Sequence, residues 1–396
     1  MLSKKDRWLL PEGVGELLPE QAEPLEQLRR GALNLFHSWG YEMVMPPMVE
    51  YLESLLVGTG RDLDLQTFKL IDQQTGRLMG IRADMTPQVA RIDAHQLNRD
   101  TPTRLCYSGP VLHTLPSGFG RSRVPQQIGA ELYGHDGAAS DVEIFRLMVE
   151  TLNVCGVENI HIDLGHVGIY RGLVQEAGLD SEQEETLFDV LQRKARPELD
   201  AYLAEWQVCE RHQRHLKALI ELNGDVSVLD EAKRRLADVG PETQLALENL
   251  CEIAELAGQY VGNVPFYFDL AELRGYRYQT GLVFAAFVPG HGQEIARGGR
   301  YDNIGKAFGR ARPATGFSAD LKMLARFSEY DFELEPPVYA PSLADLDLSQ
   351  SVDELRNQGI RVIQALSGDI GEASAMGCSQ ELKKIDGQWQ LVAVEI

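Results

Sequence analysis

Residues Leu105 to Gly134 read LCYSGPVLHTLPSGFGRSRVPQQIGAELYG, and the architecture of the chain is organised around them. Two strands are predicted here, Arg104 to Leu112 and Gln126 to Tyr133, joined by a long Gly/Ser/Arg loop. The first strand closes on a Gly-Pro pair. Along the second, Gln127, Gly129 and Glu131 alternate with Ile128, Ala130 and Leu132, the period of a pleated strand with two different faces. Polar groups facing one way, with Arg121 and Arg123 on the loop at the mouth, fit a pocket for a small zwitterion. A hairpin with a solvated polar face fits the same residues, and the stretch alone does not separate the two.

Composition narrows the possibilities. The 396 residues carry 59 acidic and 38 basic side chains, a formal net charge of −21. A protein that grips nucleic acid must neutralise phosphates with clustered Lys and Arg, and no extended cluster of that kind is present. An anionic membrane surface is disfavoured for the same reason. No run approaches membrane-spanning length, and the N-terminus lacks an apolar leader core. Cys106, Cys155, Cys209, Cys251 and Cys378 are odd in number and scattered without a CxxC, which argues against a disulfide framework and against structural zinc. A reduced, cytoplasmic protein without metal or cofactor is expected.

Upstream of the central stretch, residues 7 to 19 read as an extended arm broken by Pro11, Gly13 and Gly15. Glu20 to Trp39 has Leu25, Leu28, Ala32, Leu33 and Phe36 at helical spacing, stopped by Gly40. A strand halting at Pro46-Pro47 follows, then a hairpin from Gln66 to Ile81 turning at Gln74 to Gly76. Asp84 and Thr86 come next, as pocket residues or as caps of the helix that starts at Gln88. Downstream, Ser140 to Leu152 reads as a helix with a capping-type start, and NIHIDLGH as a strand with Ile160, Ile162 and Leu164 inward. His161, Asp163 and His166 have no third ligand near, so a wet strand face accounts for them better than a metal. Residues 181 to 262 are purely helical in pattern, with Ser181 and Glu184 as a capping box and Gly240-Pro241 restarting a helix. Strands return in VPFYFDLAELRGYRYQTGLVFAAFVPG, and the composition breaks at Leu334 to Pro337. The tail reads strand, helix from Ser351 to Gln358, strand from Ile360 to Leu366, and a hairpin turning on Asp386-Gly387.

The central stretch resembles the second signature motif of class II aminoacyl-tRNA synthetases, histidyl-tRNA synthetase in particular. Gly120, Arg121, Arg123, Gln127, Gly129 and Glu131 fall where that family has the same residues. The helix, Gly40-Tyr41, strand and proline are similar to the first motif, which implies a homodimer. Arg274-Gly275-Tyr276-Arg277-Tyr278-Gln279-Thr280-Gly281 resembles the histidine-specific signature, and Ala296 to Asp302 its Gly-Gly-Arg-Tyr-Asp block. The resemblance implies a histidine pocket. Asp84, Thr86 and Gln127 would take the amino group, Arg274 the carboxylate and Glu131 the imidazole. Tyr278, Tyr301 and Gln279, which stands where the family has a tyrosine, complete the set.

The nucleotide half of the family pattern is altered. His113 and Leu115 replace its arginine and glutamate in the second motif, and Asp320, Lys322 and Met323 replace glycine, glutamate and arginine in the third. A mostly neutral imidazole does not reproduce an always-charged planar fork. This combination is similar to the family of synthetase paralogues that regulate ATP phosphoribosyltransferase. That resemblance implies an α+β fold, an antiparallel sheet flanked by helices, with residues 1–180 and 263–333 as core, 181–262 as a helical insertion and 338–396 as a small C-terminal domain. It implies a non-catalytic role in the first step of L-histidine biosynthesis, binding histidine for feedback regulation. The partners would be a short-form catalytic subunit and a second copy, within a hetero-octamer. An amino-acid adenylating ligase of the synthetase type is the competing expectation, and an RNA-binding scaffold a third that the charge disfavours.

Overall fold

The computed structural model describes the chain except residues 1–7, 58–60, 117, 119–120, 263, 274, 277, 333–334, 368–371 and 395–396. It separates into two compact units, residues 1–330 and 331–396.

A nine-stranded sheet forms the first unit's centre. In spatial order its strands are Glu42–Met43, Thr103–Pro110, Gln126–Tyr133, Ala314–Asp320, Ala296–Arg300, Leu282–Phe287, His161–His166, Phe266–Asp269 and Asn223–Gly224. Neighbours run antiparallel except at Glu42–Met43 against Thr103–Pro110 and at His161–His166 against Phe266–Asp269. This is the antiparallel sheet flanked by helices that the central stretch led us to expect, and not a doubly wound parallel sheet. Helix Pro19–Ser38 buries Leu28, Ala32 and Phe36, three positions of its periodic apolar face. Helix Ala138–Val154 covers the sheet with eleven buried residues. A separate three-stranded sheet contains the hairpin Phe68–Ile71 and Leu78–Ile81.

Three local expectations are corrected. The capping box at the start of helix Ser181–Gln192 is Asp180 with Gln183, one residue earlier than Ser181 with Glu184. Both pairs satisfy the motif, but only the carboxylate of Asp180 lies outside the helix, where it accepts from the free amides of Glu182 and Gln183. Helix Ala138–Val154 begins at Gly137 without a side-chain cap, because Ser140 Oγ is engaged with the His135 and Gly137 carbonyls and with Arg300. The segment 181–262 is not wholly helical. Asn223–Gly224 pairs with Phe268 and Asp269 as the outermost strand of the large sheet, and helix Pro241–Tyr260 packs on Ala138–Val154 and Val167–Ala177 within the same compact unit.

The second unit has its own core, Val338, Ala340, Leu348, Val352 and Leu382. Its sheet orders Val362–Gln364, Val338–Ala340, Gln380–Ile385 and Gln388–Ala393, with helix Leu346–Asn357 packed alongside. Asp386 and Gly387, at φ 51° and 81°, make the two-residue turn of the last hairpin. Among the described residues no helix is long and apolar enough to cross a membrane.

Candidate functional site

Strand pairing sets Leu105, Glu131, Gly316, Gly299 and Val283 opposite one another in five successive strands, so these positions share one sheet face. Two adjacent glycines in that row leave a gap, and Glu131 lies over it. A Cβ on Gly316 would come within 1.5 Å of Glu131 Oε2. Glu131 is 1% exposed, and both its oxygens are held by phenols from distant parts of the chain. Tyr107 Oη donates to Oε1 at 2.8 Å, and Tyr301 Oη donates to Oε2. Burial pushes the Glu131 carboxyl up to about 8, against the opposing pull of the two phenols. The face is buried and polar, which decides against the solvated hairpin.

From Glu131 the network continues outward. Tyr107 Oη stands 3.2 Å from Thr86 Oγ1, which donates to Asp84 Oδ1 at 3.2 Å. Gln127 bridges back, its Nε2 donating to Asp84 Oδ1 at 2.8 Å and its Oε1 accepting from the Met85 amide at 3.0 Å. The Thr86 amide also donates to Asp84 Oδ1 at 3.0 Å, so this carboxylate shapes the turn into helix Thr86–Arg91 while facing the pocket network. The N-cap position itself is Met85 and has no side-chain cap, so Asp84 and Thr86 belong to the pocket network as well as the turn.

Tyr278 and Gln279 adjoin this network through Tyr301 and Gly299. The Tyr278 and Tyr301 rings lie 6.3 Å apart. Gln279 is buried, with its Oε1 beside Gly299, where a Cβ would come within 2.7 Å of it. Arg274 and Gly120 lie outside the described residues. Arg121 and Arg123 are committed elsewhere. Arg121 donates to Gln293 Oε1 at 2.8 Å and to the Glu294 carbonyl at 2.5 Å. Arg123 donates to the carbonyls of His113 and Glu12, fastening the N-terminal arm. Their hydrogen bonds thus join loop to arm and loop to strand connection.

A second group sits at the opposite end of the same strand pair. Asp320 faces Gln127 in register and caps helix Leu321–Phe327, its Oδ1 accepting from the amides of Gln126 at 2.9 Å and Lys322 at 3.1 Å. Lys322 Nζ donates to the Val124 carbonyl at 2.7 Å. Met323 is buried, His113 Nε2 lies 2.9 Å from the Ala83 carbonyl, and Leu115 is exposed. Asp320, Lys322 and the Nε2 of His113 are thus engaged with the backbone, while His113 Nδ1 is buried without a partner among the described residues.

His161, Asp163 and His166 do not converge on a metal, and no metal-binding group occurs among the described residues. His166 Nδ1 accepts from the Gly168 amide at 3.1 Å at a helix start, and burial lowers its pKa to about 4. Sequence reasoning missed Tyr107. A signal was present in Gly129, opposite it in register, where a Cβ would strike Tyr107 Oη at 2.5 Å. A glycine inside an otherwise regular strand marks such a close approach. Arg300, within the Ala296 to Asp302 block, is buried with its guanidinium spent on Asp141, Asp302 and Ser140.

The fold and the site define a protein of the class II synthetase type, and residues 13–324 match the histidyl-tRNA synthetase family. Residues 335–392 match the ATP phosphoribosyltransferase subunit HisZ C-terminal domain. An ATP phosphoribosyltransferase regulatory subunit from Thioalkalivibrio sulfidiphilus is 60% identical over 97% of both chains. Another from Methylococcus capsulatus is 57% identical, covering 97% of this chain and 95% of its own. Among solved structures, an ATP phosphoribosyltransferase regulatory subunit/histidyl-tRNA synthetase from Bacillus halodurans aligns with TM-score 0.82 at 26% identity, covering 93% of this chain and 95% of that one. A histidyl-tRNA synthetase from a Nostoc species shares the fold, with TM-score 0.77 at 19% identity over 98% and 97% of the two chains. The chain belongs to the family of ATP phosphoribosyltransferase regulatory subunits.

Proposed function

We propose that the chain is the non-catalytic subunit required for the first step of L-histidine biosynthesis, and that it binds free histidine and passes its occupancy to a short-form ATP phosphoribosyltransferase in a cytoplasmic hetero-octamer. In this reading the amino group meets Asp84, Thr86 and Gln127, the carboxylate meets Arg274, and the ring meets Glu131 beside Tyr278, Gln279 and Tyr301. Arg121 and Arg123 would hold the loop at the mouth. The observation that carries the reading is Asp320. Its carboxylate is turned onto the Gln126 and Lys322 amides, so a triphosphate placed there would meet a fixed like charge where a cationic clamp is needed. An amino-acid pocket without that clamp has occupancy to report and no adenylation to perform.

Regulation needs histidine to favour one state of the assembly over another. Mixed with the short-form catalytic subunit, this protein is expected to co-elute as a larger species, raise its activity and confer inhibition by histidine. If the catalytic subunit alone is equally active and equally histidine-sensitive, the proposal fails. Histidine-dependent exchange of pyrophosphate into ATP by the purified chain is expected to be undetectable. Exchange above a no-enzyme control would instead establish the ligase.

A further inference from the structure

In a chain of formal net charge −21, four cations and two carboxylates line one open depression of about 350 Å³. Arg196 opens helix Arg196–Glu205, Arg214 and Lys217 lie three residues apart on helix Glu210–Glu221, and Arg235 ends helix Ser227–Arg235. The carboxylates are Glu210 and Glu221. Glu221 is shared, its Oε1 accepting from Arg196 Nη1 and its Oε2 from Arg235 Nη2 at 2.7 Å. Lys217 and Arg214 pair with carboxylates outside the lining, Asp200 at 2.8 Å and Asp238 at 3.0 Å. Each of the three guanidinium groups thus spends one nitrogen on a carboxylate hydrogen bond, out of five N–H donors apiece. Arg196 Nε is buried 3.5 Å from Asp200 Oδ2 and makes no hydrogen bond, and buried donors seldom go unpaired. Helix Arg196–Glu205 also starts without a side-chain cap, so its positive end adds to the local field.

We propose that this depression is a binding site for a small multivalent oxyanion of the phosphate class, held by Arg196, Arg214, Lys217 and Arg235. It stands apart from the histidine reading and does not depend on it. Planar guanidinium forks match pairs of phosphate oxygens, and an ammonium adds a point charge. The volume lies at the lower end of small-molecule sites, which begin at about 300 Å³. The cations converge on one depression instead of tracking along a surface, as a nucleic-acid backbone would require. Glu221 holds Arg196 and Arg235 together in the empty site and competes with the anion for both.

Titration calorimetry on the full chain with inorganic pyrophosphate at low ionic strength tests the site. One saturable event is expected, weakening as salt is added. Arg196→Gln and Arg235→Gln each remove charge-assisted donors and are expected to weaken it about tenfold. Glu221→Gln keeps the shape and removes the competing charge, so it is expected to tighten binding several-fold, a gain that loss of folding cannot produce. ATP titrated in parallel separates the sources. Affinity equal to that of pyrophosphate assigns the site to a bare phosphate chain, and higher affinity that Arg196→Gln abolishes assigns it to a nucleotide. The proposal is overturned if wild type shows no saturable binding of pyrophosphate, if both arginine variants bind it as wild type does, or if Glu221→Gln binds it more weakly. The ion pairs would then serve only to join the three helices.

Discussion

The strand pair Gln126–Tyr133 and Ala314–Asp320 has two ends that treat a buried carboxylate in opposite ways. At one end Glu131 lies across from Gly316 and takes its donors from two phenols. At the other, Asp320 lies across from Gln127 and takes its donors from two backbone amides, Gln126 on the neighbouring strand and Lys322 in its own turn. Burial raises the pKa of both carboxyls. Each has two donors, so the difference lies in what supplies them: side-chain hydroxyls for Glu131, backbone amides for Asp320. Hydroxyl protons can rotate to suit a neighbour, whereas backbone amides are fixed by the strand and helix that carry them.

The sharpest way to break this contrast is Gly316→Ala. Its methyl would fall on Glu131 Oε2 and within 2.8 Å of the Ala130 carbonyl, so the carboxylate must leave its place. Histidine binding is expected to drop by more than about a hundredfold, since strain and lost contacts each cost a few kcal/mol. Titration calorimetry with folding checked by circular dichroism reads this directly, and retained affinity would show that Glu131 is not the anchor.

Arg274→Ala follows in size. Losing a charge-assisted pair with the ligand carboxylate is expected to cost about 2 kcal/mol or more, roughly thirtyfold in affinity. A variant that responds to histidine like wild type would remove Arg274 from the site. Asp320→Ala tests the amide-bound end. Leaving two amides without their acceptor is expected to lower stability by about 1–2 kcal/mol in urea unfolding, with histidine affinity unchanged. Loss of histidine binding there would mean that the two ends are not independent.

The smallest effect is a plateau. Glu131 is faced by the phenols of Tyr107, Tyr301 and Tyr133 and by the charge of Asp84. With its carboxyl at about 8 and a free imidazole near 6.5, the empty protein carries between these values the one proton the complex needs. Affinity is expected to be flat across that window. Above about pH 8 binding must take up a proton, and below about 6.5 it must release one, so affinity falls up to tenfold per unit on either side. Calorimetry in buffers of different ionisation enthalpy should show no net proton exchange near pH 7. A steady slope through the window would place the titrating group elsewhere.

Much of this protein was legible in the chain. Period-two alternation placed Gln127, Gly129 and Glu131 on one face, and the observed strand has the predicted bounds, Gln126–Tyr133. Helix Pro19–Ser38 and the Asp386-Gly387 turn were equally readable, because capping, periodicity and turn chemistry are local. The capping box slipped by one residue since Asp180 and Ser181 both satisfy its pattern, and only the backbone direction at Asp180 selects between them. The two-residue strand Asn223–Gly224 has no period to detect, and exists because Phe268 and Asp269 offer it an edge.

By itself, then, the sequence determined the order of elements and which residues share a strand face, because those depend on neighbours a few positions away. Tertiary structure alone decided what those residues do. Tyr107, 24 positions before Glu131, and Tyr301, 170 after it, reach its two oxygens because sheet register brings them there. Spacing along a strand fixes the face a side chain takes but not its partner across the ladder. The raised pKa of Glu131 follows from its burial, and the amide contacts of Asp320 follow from the register of its strand.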